Sequence, residues 1–180
     1  MFFYNDKYSK NILTSAGIDA KRAFAGEFHQ DDAFKIVAKI DTGKEDSFAV
    51  AKWLYQILNV EKIGFNLSFD NRFIHISEYG IFPSSENWHL YNSLRRASCN
   101  YDPLWETPCH VFNAAEVAEF ITFLDISIRF GWGGLIFGGG DSSTVFFSHD
   151  GWVRIGMRDS SESLTNLLQK SGTSLTWEVS

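Results

Sequence analysis

The sequence has 180 residues, of which 44% are hydrophobic and 21% are charged, and its formal net charge is −6. This length fits one domain with a full apolar core, and this composition excludes a disordered chain. The two cysteines, Cys99 and Cys109, are too few for a disulfide framework, and we expect two buried, reduced thiols.

The chain carries no signal for export, membrane insertion or metal binding. Its first residues lack a basic leader followed by an apolar run, and the apolar stretch from Ile126 to Phe137 is too short to span a bilayer. No His or Cys pair has the spacing of zinc ligands. We therefore expect a cytoplasmic protein that contacts no membrane and uses no metal or other cofactor.

The first elements are predicted from apolar periodicity. Residues 1–30 show no clean period, which predicts a loosely attached helical N-terminal segment. Alternation from Phe34 to Ile40 predicts a strand. Asp46 is placed to cap a following helix that carries Val50 and Leu54 on its apolar side.

Two hairpins are the clearest signals in the chain. Alternating runs at 63–69 and 72–78 are joined by Asp70-Asn71, and those at 144–149 and 152–157 are joined by Asp150-Gly151. Two-residue loops of this composition accept positive φ at both positions, which suits paired antiparallel strands. The sequence therefore predicts hairpins over 63–78 and 144–157.

Helices are predicted between and after the hairpins. Ser84 can cap one, and Asn113 with Glu116 resembles a capping box before an apolar stripe that ends near Ile128. A last helix is predicted over 159–172, before a short strand at 175–179. Because strands and helices do not alternate regularly, we predict one α+β domain over 1–180, with a mostly antiparallel sheet and three to four packed helices.

No motif in the sequence predicts a catalytic residue. The glycines from Gly131 to Gly140 follow a helix and precede a strand, which is the reverse of a phosphate-binding loop, so they predict a helix stop, a short strand and a turn. His149 and Asp150 would be neighbours on a strand, where side chains point to opposite faces. An enzyme of an unfamiliar family, with His149, Asp141 and Ser148 near a pocket, stays open as an alternative.

The excess negative charge lies in one third of the chain. Residues 97–153 hold seven acids and the single base Arg129, whereas acids and bases are equal in number in the rest of the chain. The same segment holds aromatic residues beside glycine, proline or turn residues, which suggests rings that are partly exposed. Acids beside such rings are typical of a surface that docks a basic protein, and they repel nucleic acid. An ordinary solvated surface with dispersed acids is the alternative.

One hairpin supports a more specific hypothesis. Residues 144–155, Thr-Val-Phe-Phe-Ser-His-Asp-Gly-Trp-Val-Arg-Ile, resemble hairpins of bacterial immunity proteins encoded beside polymorphic or contact-dependent growth-inhibition toxins. The resemblance implies a cytoplasmic inhibitor that binds a cognate toxin domain, often a nuclease, and blocks its active site. It implies no particular fold and no residue roles.

The resulting hypothesis is a non-enzymatic inhibitor of a basic toxin domain, with no direct contact to nucleic acid. The residues predicted to contact the partner are acids and indole rings of the acidic segment: Asp102, Trp105, Glu106, Glu116, Glu119, Trp132, Asp141 and Trp152. A self-associating adaptor subunit is a further alternative, and the oligomeric state stays open.

Overall fold

The computed structural model describes residues 1–27, 36–43, 45–59, 71–79, 86–138, 143–157 and 166. Within these ranges the strands and helices are β1 (Phe2–Tyr4), α1 (Asp6–Ser15), α2 (Ala20–Phe24), β2 (Ile36–Asp41), α3 (Ser47–Asn59), β3 (Arg72–Glu78), α4 (Glu86–Ala97), β4 (Cys109–Phe112), α5 (Val117–Arg129), β5 (Gly133–Gly138), β6 (Ser143–Phe147) and β7 (Trp152–Met157).

The strands form one sheet in the order β1-β4-β3-β5-β6-β7-β2. Every pair of neighbouring strands in the described residues is antiparallel. The predicted α+β class with an antiparallel sheet is therefore confirmed, although the described part of the chain holds five helices instead of three to four.

Helices cover both faces of the sheet. On one face, Leu54 of α3, Tyr91 of α4 and Phe120 of α5 join a buried cluster with alternate strand residues such as Ile74 and Ile136. On the other face, residues of the N-terminal helices pack against the intervening strand residues. Because both faces are buried, the strands are more continuously apolar than a half-exposed strand would be.

The N-terminal segment is an integral part of this fold, in contrast to the predicted loose attachment. Leu13, Ile18 and Ala23 are almost completely buried against the second face of the sheet. Strand β1 also pairs with β4, so that Phe2 lies opposite Val111 and Tyr4 opposite Cys109. Backbone pairing and apolar burial therefore hold residues 1–27 in place.

The later hairpin is confirmed, with a different turn. Strands β6 and β7 pair from Ser143↔Met157 to Phe147↔Val153. The N–H of Gly151 donates to the carbonyl of Ser148, the N–H of Ser148 donates to the carbonyl of Trp152, and Gly151 has φ +78°. This is a three-residue loop with a left-handed third residue instead of the predicted two-residue loop, and Asp150 has no positive φ.

The hairpin predicted over 63–78 is wrong in its pairing. Its second run is β3, but β3 pairs with β4 on one side and with β5 on the other. Both sides of Arg72–His75 are therefore occupied, and a third strand cannot pair there. The first run, 63–69, lies outside the described residues.

The structure confirms some of the predicted helix ends. The carboxylate of Asp46 accepts the N–H of Ala49 at 3.0 Å, which confirms it as the cap of α3. The carboxylate of Glu116 accepts the N–H of Asn113 at 2.9 Å, but this pair closes a turn before α5, which begins at Val117. Gly131 ends α5 with φ +66°, as predicted. The strand at 175–179, the cap at Ser84 and, apart from residue 166, the helix at 159–172 lie outside the described residues.

The registers define two ends of the sheet that matter for the site. At the end called lower here, β4, β5 and β7 begin, whereas β3 and β6 finish. At the upper end, β4 and β5 finish and β3 begins. Among the helices that the structure describes, none has the length and apolar character needed to cross a membrane.

The C-terminus of α4 contains a strained cysteine. Cys99 is exposed, with φ +62°, and the N–H groups of Cys99 and Asn100 donate to the carbonyls of Arg96 and Arg95. The corresponding positions after α1 and α5 are Gly17 and Gly131. The prediction that both thiols are buried is therefore wrong for Cys99 and right for Cys109.

We predict that Cys99→Gly raises the free energy of unfolding by about 0.5–1 kcal/mol, because glycine adopts the left-handed conformation without a Cβ clash. Urea unfolding measures the change. Cys99→Ala is the matched control, since it removes the thiol and keeps Cβ, and it should leave the stability close to that of the parent chain. Equal stabilisation by both variants would show that the thiol, and not the backbone, is responsible.

Candidate functional site

The residues predicted to form one acidic surface separate into groups at different ends of the sheet. Asp102, Trp105 and Glu106 precede β4 and lie towards its lower end, whereas Glu116 and Glu119 follow β4 and lie towards its upper end. The expectation that all the acids converge is therefore wrong, because strand β4 separates the two groups. Asp141 lies outside the described residues.

At the upper end, the carboxylate of Glu116 is already engaged within the chain. It forms an ion pair with the α-amino group of Met1 and accepts the N–H of Asn113. Burial raises the pKa of Glu116, but these two hydrogen bonds outweigh burial and lower it overall. Glu119 is exposed in the first turn of α5.

The predicted tryptophan anchors also differ in exposure. Trp132 is only 3% exposed, so the expectation of a partly exposed ring is wrong: it lies beneath Trp88 and Tyr91 in the main core. Trp152 is half-buried, and the ammonium group of Lys39 lies 4.4 Å from its ring centre. Trp105 is 56% exposed and stacks on Trp88.

The remaining predicted residues share one loop. Residues 100–107, which connect α4 to the turn before β4, carry Tyr101 at 76% exposure together with Trp105, and both Asp102 and Glu106 are exposed. These two rings are two of the five large hydrophobic side chains that are exposed in the described residues. We refer to residues 100–107 as the 100–107 loop.

A buried arginine organises this loop from beneath. Arg95 of α4 is 1% exposed. Its guanidinium donates to the carbonyl of Asp102 at 3.1 Å, to the carbonyl of Thr107 at 3.1 Å and to the hydroxyl of Thr107 at 2.6 Å. The Asn100 side chain donates to the same hydroxyl and accepts the N–H of Asp102. Both ends of the loop are therefore tied to one side chain.

The partners of Arg95 within hydrogen-bond distance are neutral. Besides the loop, Nη1 lies 3.3 Å from Nε2 of His110, and the guanidinium lies 5.2 Å from the ring centre of Phe3. Burial lowers the pKa of Arg95, and the nearby Tyr91 and Asp102 oppose that shift. Nε of Arg95 is buried and has no hydrogen-bond partner in the described residues. A cation in this position therefore depends on the loop oxygens that its two terminal nitrogens reach.

His110 completes the network as a neutral imidazole. Burial and the charge of Arg95 hold its pKa well below the ordinary value. Nδ1 faces the carbonyls of Ile74 and Pro108, so it carries the proton, and Nε2 accepts from Tyr91 at 3.0 Å and from Arg95. The network therefore links β3, α4 and the start of β4.

A groove of about 340 Å³ opens beside the 100–107 loop at the lower end of the sheet. Its lining combines residues of α1, α2, the end of β3 and the loop: Asp6, Lys10, Phe24, His75, Ile76, Ser77, Tyr79, Trp105 and Pro108. This volume is within the range of protein sites that hold a small ligand or a single inserted side chain.

The floor of the groove contains an Asp-His-Ser arrangement without an accessible nucleophile. Nε2 of His75 lies 3.6 Å from the carboxylate of Asp6, and Nδ1 forms a 2.9 Å hydrogen bond with the hydroxyl of Ser9. Ser9 and the adjacent Cys109 are completely buried, and burial raises the pKa of Cys109 to about 12. Neither can attack a substrate in the groove.

A second polar cluster lies at the β6–β7 turn. His149 contacts the carboxylate of Glu78 through Nδ1 at 2.7 Å and that of Asp150 through Nε2 at 3.2 Å. Hydrogen bonding to Glu78, with the charges of both carboxylates, raises the pKa of His149. The expectation that His149 and Asp150 cannot meet is wrong, because both lie in the turn and not on a strand. His149 and Asp150 are exposed and Glu78 is partly buried, so this ion pair contributes little to stability.

A cleft of about 310 Å³ lies beside this turn, between the start of α3 and the end of α5. It is lined by His149 and Ser148, but the Ser148 hydroxyl accepts the N–H of Asp150 and is not paired with His149. In the described residues, His, Cys, Asp and Glu side chains form no group of three or more that suits a metal ion.

Arg95, His75 and Ser77 were not identified from the sequence. Arg95 and Arg96 end a helix, where basic residues are common because they favour the helix dipole, so nothing local distinguishes the buried arginine from its exposed neighbour. Comparison with family models, curated proteins and solved structures finds no match to this chain.

We predict that Thr107→Val lowers the free energy of unfolding by about 2–3 kcal/mol, since it removes the acceptor of the buried guanidinium and of Asn100 without changing side-chain shape. Thr122→Val is the matched control, because the exposed Thr122 hydroxyl bonds only to a carbonyl of its own helix. Chemical unfolding compares the two. Equal, small effects would mean that the Arg95 network contributes little.

We also predict that acid destabilises the chain through His75. Burial lowers the pKa of His75 from 6.5 to about 4. The unfolded chain therefore binds the proton first as the pH falls, and stability is complete above pH 6.5 and is lost towards pH 4, by about 3 kcal/mol for this group. His75→Gln should reduce the slope of unfolding free energy against pH in this window, and the part due to buried His110 should remain. The exposed His89→Gln should keep the whole slope, and an unchanged slope in both would contradict the assignment.

Proposed function

We propose that this chain is a non-enzymatic inhibitor of the immunity-protein type, which binds a cognate basic toxin domain and occludes its active site. The observation that carries the proposal is the 100–107 loop, which presents Tyr101, Asp102, Trp105 and Glu106 and is tied down by buried Arg95.

The rings supply the binding energy in this proposal. Burying a large apolar side chain contributes about 1.5–3 kcal/mol, and interfaces concentrate their energy in a few such anchors. A loop that is ordered before binding loses little conformational entropy on association. Trp105 is supported by the stack on Trp88, which in turn contacts buried Trp132. Trp132 thus serves as a support in place of its predicted role as an anchor.

The carboxylates supply steering and selectivity. Asp102 and Glu106 flank the exposed rings, in a chain with a net charge of −6. Such a surface attracts a basic partner over a distance, repels nucleic acid, and occupies the place of the phosphates in a nuclease active site. An inhibitor of this kind acts in the cytoplasm of the producing cell. The acids at the upper end, Glu116 and Glu119, are not part of this surface.

We predict that co-expression with the toxin domain encoded by the neighbouring gene restores growth, and that the combined variant Asp102→Asn, Trp105→Ala, Glu106→Gln abolishes this protection. Glu119→Gln is the matched control, as it removes an exposed acid at the other end of the sheet and should protect fully. Association of the purified proteins should be fastest at low salt.

Three outcomes would contradict the proposal. Protection by the combined variant equal to that of the parent chain would exclude the 100–107 loop as the binding surface. A parent chain that dimerises, with Trp105→Ala restoring the monomer, would instead favour a self-associating subunit. A hydrolytic activity lost in a His149→Ala variant would favour the enzyme alternative.

A further inference from the structure

The groove beside the 100–107 loop has a polar floor that includes one hydroxyl without a hydrogen-bond partner in the described part of the chain. The hydroxyl of Ser77 is buried and has no hydrogen-bond partner among the described residues. The carboxylate of Asp6, half exposed, lies on the same floor, next to the neutral ring of His75. Hydroxyl and carboxylate oxygens both accept hydrogen bonds, so the floor suits a ligand that donates several of them.

The outer wall of the groove is aromatic. Trp105 lies 6.3 Å from Trp88, centre to centre, with the rings 8° from parallel, and it stays more than half exposed. Tyr79 also lines the groove, and its ring centre lies 6.4 Å from that of Trp132. Fixed ring faces next to a carboxylate favour a planar cation, which stacks on the ring and hydrogen-bonds at its edge.

We propose that this groove receives an arginine side chain of the partner. The guanidinium stacks on Trp105 and donates to Asp6 and, once the Ser77 side chain rotates its buried hydroxyl into the groove, to Ser77. This inference rests on the proposed function, because it names the anchor that a basic toxin domain would insert beside the 100–107 loop. A phosphate or carboxylate ligand is disfavoured by Asp6 at the floor. A lysine matches it less well, because an ammonium group does not present a flat fork of donors.

Lys10 already forms an ion pair with Asp6, and it therefore competes with a ligand for this carboxylate. The two form an exposed ion pair four residues apart on α1, and pairs of this kind contribute little in water. A guanidinium that adds stacking and a second hydrogen bond displaces the Lys10 ammonium group, which remains solvated outside. Removing Lys10 should therefore strengthen arginine binding.

The test uses the free chain and three small probes: Nα-acetyl-arginine amide, the matching lysine amide and the matching norleucine amide. Titration is followed through the indole N–H signal of Trp105 in a two-dimensional NMR spectrum. We expect arginine amide to shift this signal in a saturable way and to bind about tenfold more tightly than norleucine amide, with lysine amide between them.

Variants locate the binding. Asp6→Asn and Ser77→Ala should each weaken arginine amide severalfold, Lys10→Met should strengthen it, and Glu119→Gln should leave it unchanged. Ser77→Ala removes a hydroxyl without a described partner, so it leaves the fold intact. Equal affinity for norleucine and arginine amides, or insensitivity to both Asp6→Asn and Ser77→Ala, would overturn the inference. Growth protection by the parent chain in that case would still stand, so the two proposals fail separately.

Discussion

One buried cation constrains the lower end of this molecule. The guanidinium of Arg95 is almost completely removed from water, and its hydrogen-bond partners are two loop carbonyls, a hydroxyl and a neutral imidazole. Because an unsatisfied buried charge costs several kcal/mol, the 100–107 loop must keep the conformation that supplies those oxygens. We therefore infer that this loop, with its two exposed rings and two exposed acids, is ordered before any partner binds.

The Arg95 network also connects the exposed 100–107 loop to the core of the protein. The His110 ring that accepts from Arg95 also bridges to β3 and to Tyr91 of α4, and Trp132 beneath Trp88 belongs to the main core. The ring of Trp105 thus extends a series of ring contacts that begins inside the protein. The neighbouring groove shares Trp105, so one loop carries both an exposed face for a partner and one wall of a slot for a single side chain.

Residues that are neighbours in sequence made much of the fold predictable. The position of the candidate site depends on packing between distant parts of the chain, which the sequence pattern does not reveal. The cap at Asp46, the stop at Gly131 and the β6–β7 hairpin follow from residues that are neighbours in sequence. The pairing of β3 with β4 and β5 has no local signature, and the sequence therefore predicts the neighbouring alternating run at 63–69 as the partner of β3. The acidic segment looked continuous in sequence, but β4 directs Glu106 and Glu116 to opposite ends of the sheet. Burial of Arg95 and Trp132 likewise depends on elements far away in the chain.

The central claim is that the 100–107 loop is rigid before any partner binds. The most direct measurement is the backbone ¹⁵N order parameter of residues 100–107 in the free chain, except Pro103, which has no N–H, compared with residues of β3. The account predicts order parameters of about 0.85 in both, as in regular secondary structure. Values below about 0.6 in the loop, with rigid values in β3, would contradict it, because Arg95 would then not fix the surface that the proposed inhibitor presents.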